Sequence, residues 1–283
     1  MTLLQVLVLG LVQGIAEFLP VSATAHLRIV PALFGWHFYN GSTQNPGSTF
    51  TAVVRVGSMA ALVCYFWREL LHVCVAWARG LYDRSVRDSL EYQMGWYLLL
   101  ATIPVIVLRI VFSGRLDSGA ENLWLLAGSL IVVGLALWAA EIIGGRHRIE
   151  EQIDRTDAAV VGLAQVISLV PGASRVGTML TAGLFRGLER PAAIRFAFLL
   201  SIPAVVAHAV YEVVRMGGSH EHSPGSGLIG FAVVVAFVSA LLAIHALVQW
   251  LTRHSAMVFV YYRLALGALV LALLGAGVLE ATS

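Results

Sequence analysis

The sequence predicts an all-α polytopic membrane protein built from two inverted-topology repeats, each a re-entrant helical hairpin plus three transmembrane helices. Three observations carry that expectation. Of the 283 residues, 59% are hydrophobic and only 12% are charged, and the mean hydropathy is +0.83; a soluble domain carries about a quarter charged residues. Six stretches, 50–67, 94–112, 123–143, 194–214, 228–250 and 257–279, are apolar over the length needed to cross a bilayer, which is about 20 residues. Two shorter apolar stretches, one ahead of each set of three, are cut by Pro20 and by Pro171-Gly172.

The two short stretches explain the hairpins. Residues 3–19 stop at Pro20 and are followed by Ser22, Thr24 and His26; residues 158–170 stop at Pro171-Gly172 and are followed by Ser174, Arg175 and Thr178. Interrupted apolar segments at corresponding places in two halves point to a binding site between broken helices. At membrane depth such backbone must be buried in protein or line a cavity. Gly10-Leu-Val-Gln13-Gly-Ile-Ala16 also resembles Gly162-Leu-Ala-Gln165-Val-Ile-Ser168. With an odd number of spans after each hairpin, the second half is expected to be inverted relative to the first. The chain then reads as one membrane domain, 1–283, with repeats over about 1–145 and 155–283.

Charge sets the orientation and removes several functions. All 18 basic residues are Arg, which excludes Schiff-base chemistry and the phosphate-loop lysine. A net charge of +2 gives no basic footprint for nucleic acid. Cys64 and Cys74 fit neither a disulfide framework nor a metal spacing and read as small apolar residues. Residues 1–12 lack a basic leader and a cleavage site, so no removable signal peptide is expected. The loop after the first span holds Arg68, Arg79, Arg84 and Arg87, and the connection after the third holds Arg146, Arg148 and Arg155; the other side offers little beyond Arg115 and Arg215. The arginine-rich side is therefore expected in the cytoplasm and both termini outside. The tract 217–227, with His220, Glu221 and His222, is read as a solvated outside loop.

Chemistry concentrates at the two breaks. Gln13 and Glu17 lie one helical turn apart and share a face. Pro20 ends their half-helix, and Ser22 or Thr24 can cap the next one, whose N-terminus suits an anion. His26 falls in the first turn or so, able to give or take a proton near neutral pH. In the second break Ser174 is the candidate cap, with Thr178 a turn further on. Arg175 sits at a helix N-terminus, where a cation is disfavoured unless an anion is bound, and a guanidinium is the best bidentate partner for phosphate. Together the halves supply a carboxylate, an imidazole, a guanidinium, hydroxyls and two helix N-termini, a set that fits a phosphate or diphosphate. Glu17 with Gln13 could hold a divalent cation, Mg²⁺ or Ca²⁺, bridging the phosphates, since Mg²⁺ commonly takes one or two carboxylates.

These motifs resemble the undecaprenyl-pyrophosphate phosphatase family, the bacterial bacitracin-resistance membrane proteins. Gln13–His26 matches the family's Glu/Gln-x-x-x-Glu box and the Pro-Val-Ser-x-Thr-x-His stretch behind it, and Pro171-Gly-Ala-Ser174-Arg175 matches its Pro-Gly-x-Ser-Arg box. Phe-Thr-Ala-Val-Val-Arg-Val-Gly-Ser followed by Phe-Trp-Arg-Glu-Leu, within 50–70, extends the match. The resemblance implies a membrane hydrolase of the bacterial plasma membrane. It would remove the terminal phosphate from a polyprenyl diphosphate carrier lipid, recycling it for cell-wall synthesis. Glu17 and Gln13 would serve metal binding or acid–base chemistry, His26 and a hydroxyl would attack or protonate phosphate, and Ser174 and Arg175 would grip it. The alternative is a prenyl-phosphate flippase without hydrolysis. Oligomeric state is left open, a homodimer included.

Four positions depart from the family pattern. Ala23 replaces the second of two serines, Val176 replaces a serine after the Ser-Arg pair, and Met179 stands where a threonine closes the box, with Thr178 beside it. Arg55 replaces a glutamine and reads as an added phosphate ligand or a paired arginine lining the cavity; at a span centre an arginine costs about 2.5–3.5 kcal/mol to insert, which favours a role. Without a hydroxyl at Ala23, the candidates for attack are His26, Ser22 and a water activated by Glu17.

Overall fold

The structure, a computed structural model, describes residues 1–36, 38, 48–112, 122–216 and 226–279, with the backbone alone at 48–49, 212–216 and 226. The tract with His220, Glu221 and His222 and the loop with Arg115 lie outside the described residues, as does the side chain of Arg215. The described chain is all-helical: α1 (Leu3–Phe18), α2 (Ala23–Leu33), α3 (Ser48–Tyr65), α4 (Trp67–Tyr82), α5 (Leu90–Val111), α6 (Leu123–Ile143), α7 (Arg155–Ile167), α8 (Arg175–Phe185), α9 (Arg190–Met216), α10 (Ser226–Arg253) and α11 (Met257–Gly275). Five of these, α5, α6, α9, α10 and α11, are each long and apolar enough to cross a bilayer.

The sixth expected crossing is a bent pair. The spacing predicted a straight span over 50–67 followed by an arginine-bearing loop; instead the chain turns by 69° between α3 and α4 and stays helical to Tyr82. The stretch from Trp67 contains no proline, carries Glu69 in its first turn and Arg79 in its last, and so suits the helix dipole at both ends. Its arginines sit on a helix rather than in a loop.

Both hairpins begin on a reciprocal cap. Thr2 and Gln5 form a capping box at α1, and Asp154 and Asp157 form one at α7. Each first helix then stops short of its proline: α1 at Phe18, with Leu19 extended ahead of Pro20, and α7 at Ile167. At 16 and 13 residues both are shorter than a full crossing. α10 runs between α1 and α3, α11 lies along α6, and α5 packs against α4, α7 and α9. The α1–α10 contact is close enough to demand glycine, because a Cβ on Gly14 would lie 2.5 Å from the Ala236 carbonyl oxygen.

Ion pairs fasten one end of the bundle. Arg195 at the start of α9 bonds Glu69 of α4 (2.6 Å) and Glu150 of the connection before α7 (3.2 Å). Buried Asp157 accepts from Arg148 and Arg186, each at 2.7 Å. Glu141 accepts from Arg190 at 2.6 Å, from Arg146 at 3.3 Å and from the Ala256 N–H at 2.7 Å.

At the centre lies Arg263 of α11, with no exposed surface. Its guanidinium donates to the carbonyls of Pro20 (3.0 Å), Gly172 (3.2 Å) and Ala173 (3.1 Å) in the two breaks, and of Ser129 (3.3 Å) and Leu130 (3.1 Å) on α6. No carboxylate pairs with it among the described residues. Replacing Arg263 with Met should leave the break carbonyls of Pro20, Gly172 and Ala173 unsatisfied, at about 1–3 kcal/mol for each buried group, while Ser129 and Leu130 keep their helical partners. We expect a fall in the melting temperature of the detergent-solubilised protein of many degrees, read by thermal unfolding, and a smaller but clear fall for Arg263→Lys.

Candidate active site

The two breaks meet at the heart of the bundle. Beyond the Arg263 bridge, the Ser174 hydroxyl donates to the Leu19 carbonyl at 3.5 Å. Each break ends on a serine with a positive φ, 76° at Ser22 and 68° at Ser174; among the described residues the only other non-glycine of this kind is Arg146. Such backbone costs about 1–3 kcal/mol and clusters at functional sites. Glycine would relieve it but would remove the cap: Ser22 Oγ accepts from the Ala25 N–H (3.4 Å), and Ser174 Oγ from the Gly177 N–H (3.2 Å).

The residues expected from the sequence fall into two groups. In the first, Gln13 Nε2 donates to Glu17 Oε2 at 2.8 Å, and Arg55 Nε lies 4.0 Å from the same oxygen. Arg55 Nη1 also donates to Nε2 of His208 on α9 at 3.3 Å, so that histidine nitrogen carries a lone pair. Arg175, at the first position of α8, interacts electrostatically with both Glu17 and Arg55. Two guanidiniums around one carboxylate leave an excess positive charge beside a helix N-terminus, the arrangement an anion requires. Arg55 Nε is buried without a hydrogen-bond acceptor and Gln13 Oε1 is buried without a donor among the described residues. The site thus holds one buried donor and one buried acceptor without hydrogen-bond partners.

The second group is Ser22, His26 and Tyr262. His26 Nδ1 lies 2.7 Å from the Ser22 carbonyl, and Nε2 lies 2.5 Å from the Tyr262 hydroxyl. Glu17 is taken by Gln13 and Arg55 rather than by His26, whose Nδ1 meets the Ser22 carbonyl. Thr24 is half-buried and makes no hydrogen bond to a described residue. The Thr178 hydroxyl donates to the Arg175 carbonyl at 3.0 Å, inside its own helix.

Sequence reasoning passed over His208, Tyr262 and Arg263. For His208 and Arg263 a signal existed: ionisable groups inside apolar spans are costly and usually functional, the argument already applied to Arg55. Tyr262 gave none, since a tyrosine in a membrane helix is ordinary.

No group of three or more His, Cys, Asp or Glu suited to a metal occurs among the described residues. A divalent cation would therefore be held by Glu17, the orphaned Gln13 Oε1 and the ligand's own phosphate oxygens. That donor set fits Mg²⁺, which seldom takes an all-protein cage.

A family description headed bacitracin resistance protein BacA matches residues 6–269. The chain belongs to that family. It is similar over its whole length to proteins named undecaprenyl-diphosphatase. The one from Mycolicibacterium smegmatis is 42% identical over 99% of this chain and 100% of the relative. The one from Chloroherpeton thalassium is 39% identical over 99% and 100%, and that from a Nocardioides species 40% over 98% of each.

Arg175→Lys keeps the charge but loses the planar fork, and the two are not interchangeable at a bidentate phosphate site. Turnover of a prenyl diphosphate should fall by at least about 100-fold, or some 2.7 kcal/mol, at unchanged expression; near-normal turnover would return Arg175 to a structural role.

Proposed function

We propose that this chain is a multi-pass membrane hydrolase that converts undecaprenyl diphosphate to the monophosphate and phosphate, returning the carrier lipid to cell-wall synthesis. The observation that carries this reading is the junction of the two breaks, where Arg55 lies 4.0 Å from Glu17 and Arg175 interacts electrostatically with both. The names of its full-length relatives support the same reaction and do not favour a flippase without hydrolysis.

Arg175 and Arg55 grip the diphosphate, assisted by the N-terminus of α8 and the capped turn at Ser174. Glu17, oriented by Gln13, would hold a divalent cation, which would offset phosphate charge. His26 presents Nε2 as its lone-pair nitrogen, because Nδ1 must donate to the Ser22 carbonyl. Nε2 is therefore the atom that takes a proton from attacking water or bonds phosphorus itself. Ser22 caps α2 and can donate its hydroxyl proton to a phosphate oxygen, with Thr24 beside it. In the net reaction the P–O bond to the bridging oxygen breaks, the monophosphate leaves, and water supplies the oxygen and proton of the released phosphate. The prenyl chain lies among the helices, each buried CH₂ contributing about 0.8 kcal/mol.

The two halves, about 1–145 and 155–283, are inverted repeats in this reading, supported by their matching serine-capped breaks. The ion pairs of Arg195 with Glu69 and Glu150 gather the arginine-bearing connections at one end, which we assign to the cytoplasm with both termini outward. Cysteines placed in turn at Arg84 and Thr2, with Cys64 and Cys74 removed, should label from inside and outside respectively. Outside labelling at position 84 would reverse the orientation.

Phosphate release from undecaprenyl diphosphate by purified protein tests the reaction, and chelation should suppress it if a divalent cation is required. His26→Ala and Glu17→Ala should each abolish single-turnover release. Ser22→Ala should weaken it without silencing it, since losing a cap costs about 1 kcal/mol. A dead Ser22 variant beside an active His26 variant would make Ser22 the nucleophile.

A further inference from the structure

The carbonyl of Ser22 can only accept, so the 2.7 Å contact fixes the proton of neutral His26 on Nδ1. Nε2 then has a lone pair and no hydrogen, and the Tyr262 hydroxyl, 2.5 Å away, is its donor. The two rings lie within 9° of parallel, with centroids 5.6 Å apart. Tyr262 does not hang from a mobile element. It is the residue before Arg263, whose guanidinium grips the Pro20 carbonyl two residues ahead of Ser22. The same turn of α11 thus fixes the backbone that receives Nδ1–H and supplies the hydroxyl that meets Nε2.

We propose that Tyr262 is a positioning residue for His26, fixing the ring rotation that the Ser22 carbonyl alone leaves free and holding Nε2 in place until substrate displaces its hydroxyl. One contact at each ring nitrogen defines both tautomer and ring rotation; the backbone contact alone leaves the ring free to swing about its Nδ1···O axis. A phenolic hydroxyl suits the place because it donates to neutral imidazole and can turn to accept from Nε2–H once His26 is protonated. Phenylalanine would keep the ring and lose both abilities. The inference rests on the assignment of His26 to phosphate chemistry made above.

The test uses full-length Tyr262→Phe in detergent or nanodiscs. For phosphate release from undecaprenyl diphosphate, kcat should drop between about 10- and 100-fold, the scale set by losing the orientation of a reacting group, with KM within about twofold. In ¹⁵N-histidine-labelled protein, the His26 signals, assigned by their loss in His26→Gln, should show a single Nδ1–H tautomer. In Tyr262→Phe the Nε2 signal should move to the position of an imidazole nitrogen that accepts no hydrogen bond, with Nδ1–H retained. Unchanged kcat would overturn the proposal, whatever the spectrum shows. So would a rise in KM at constant kcat, which would make Tyr262 a substrate contact. The ¹⁵N signature needs no turnover. Absence of phosphate release from the unaltered protein would therefore count against the hydrolase reading, while an Nε2 signal unmoved by Tyr262→Phe would count against this one.

Discussion

Broken helices at membrane depth expose backbone carbonyls that water cannot reach, and every other feature of the site depends on how those carbonyls are satisfied. Here Arg263 does it with one guanidinium, reaching both breaks and α6 together. A hydrocarbon environment offers no substitute, because polar backbone there must find its partners inside the protein. The planar fork, with five donors, is suited to ringed acceptors in a way an ammonium is not. Carbonyl dipoles rather than a carboxylate surround the charge, so none of the acidic residues is withdrawn from the site. With the breaks held this way, Ser22 and Ser174 can stay at positive φ, and the half-helices α2 and α8 keep their N-termini in place.

The chemistry that follows is divided in space. Glu17, Arg55, Arg175 and His208 form an electrostatic set in which positive charge exceeds negative, whereas Ser22, His26 and Tyr262 form a hydrogen-bonded set. Gripping phosphate and moving a proton make different demands. The first is served by guanidiniums and a helix N-terminus, the second by an imidazole whose two nitrogens are told apart. Keeping Glu17 off His26 avoids spending the one central carboxylate on holding the imidazole. It remains beside the arginines, where a divalent cation and phosphate oxygens can complete its coordination.

Much of this was legible in the sequence because its signals are local. Pro20 and Pro171-Gly172 mark the breaks, Ser22 and Ser174 follow within three residues, and apolar length fixes the crossings. The bend at Phe66 was not legible, since arginines on an amphipathic helix and arginines in a loop leave the same sparse pattern. The partners of the centre were hidden for another reason. Tyr262 meets a residue 236 positions away, Arg55 meets His208 across 153, and Arg263 meets Pro20 across 243. The Arg263 contacts are to main-chain oxygens, which carry no residue-type signature at all.

The register that pairs Gln13 with Gln165 also pairs Ser22 with Ser174, so the two hairpins can be compared position by position. The caps and their strained backbone recur, but the reactive side chains do not. Glu17 stands opposite Leu169, Ala23 opposite Arg175, and His26 opposite Thr178. Gln165 is fully buried and leaves both amide atoms without a partner among the described residues, while Gln13 orients Glu17. The two hairpins together therefore carry one set of reactive side chains, each holding what the other lacks. Ala23 is intelligible on this basis. A hydroxyl is absent there, yet the matching place in the second half bears Arg175, and His26 lies one turn further along α2. The chemistry has moved off the cap residues and onto the first turns of the helices they start.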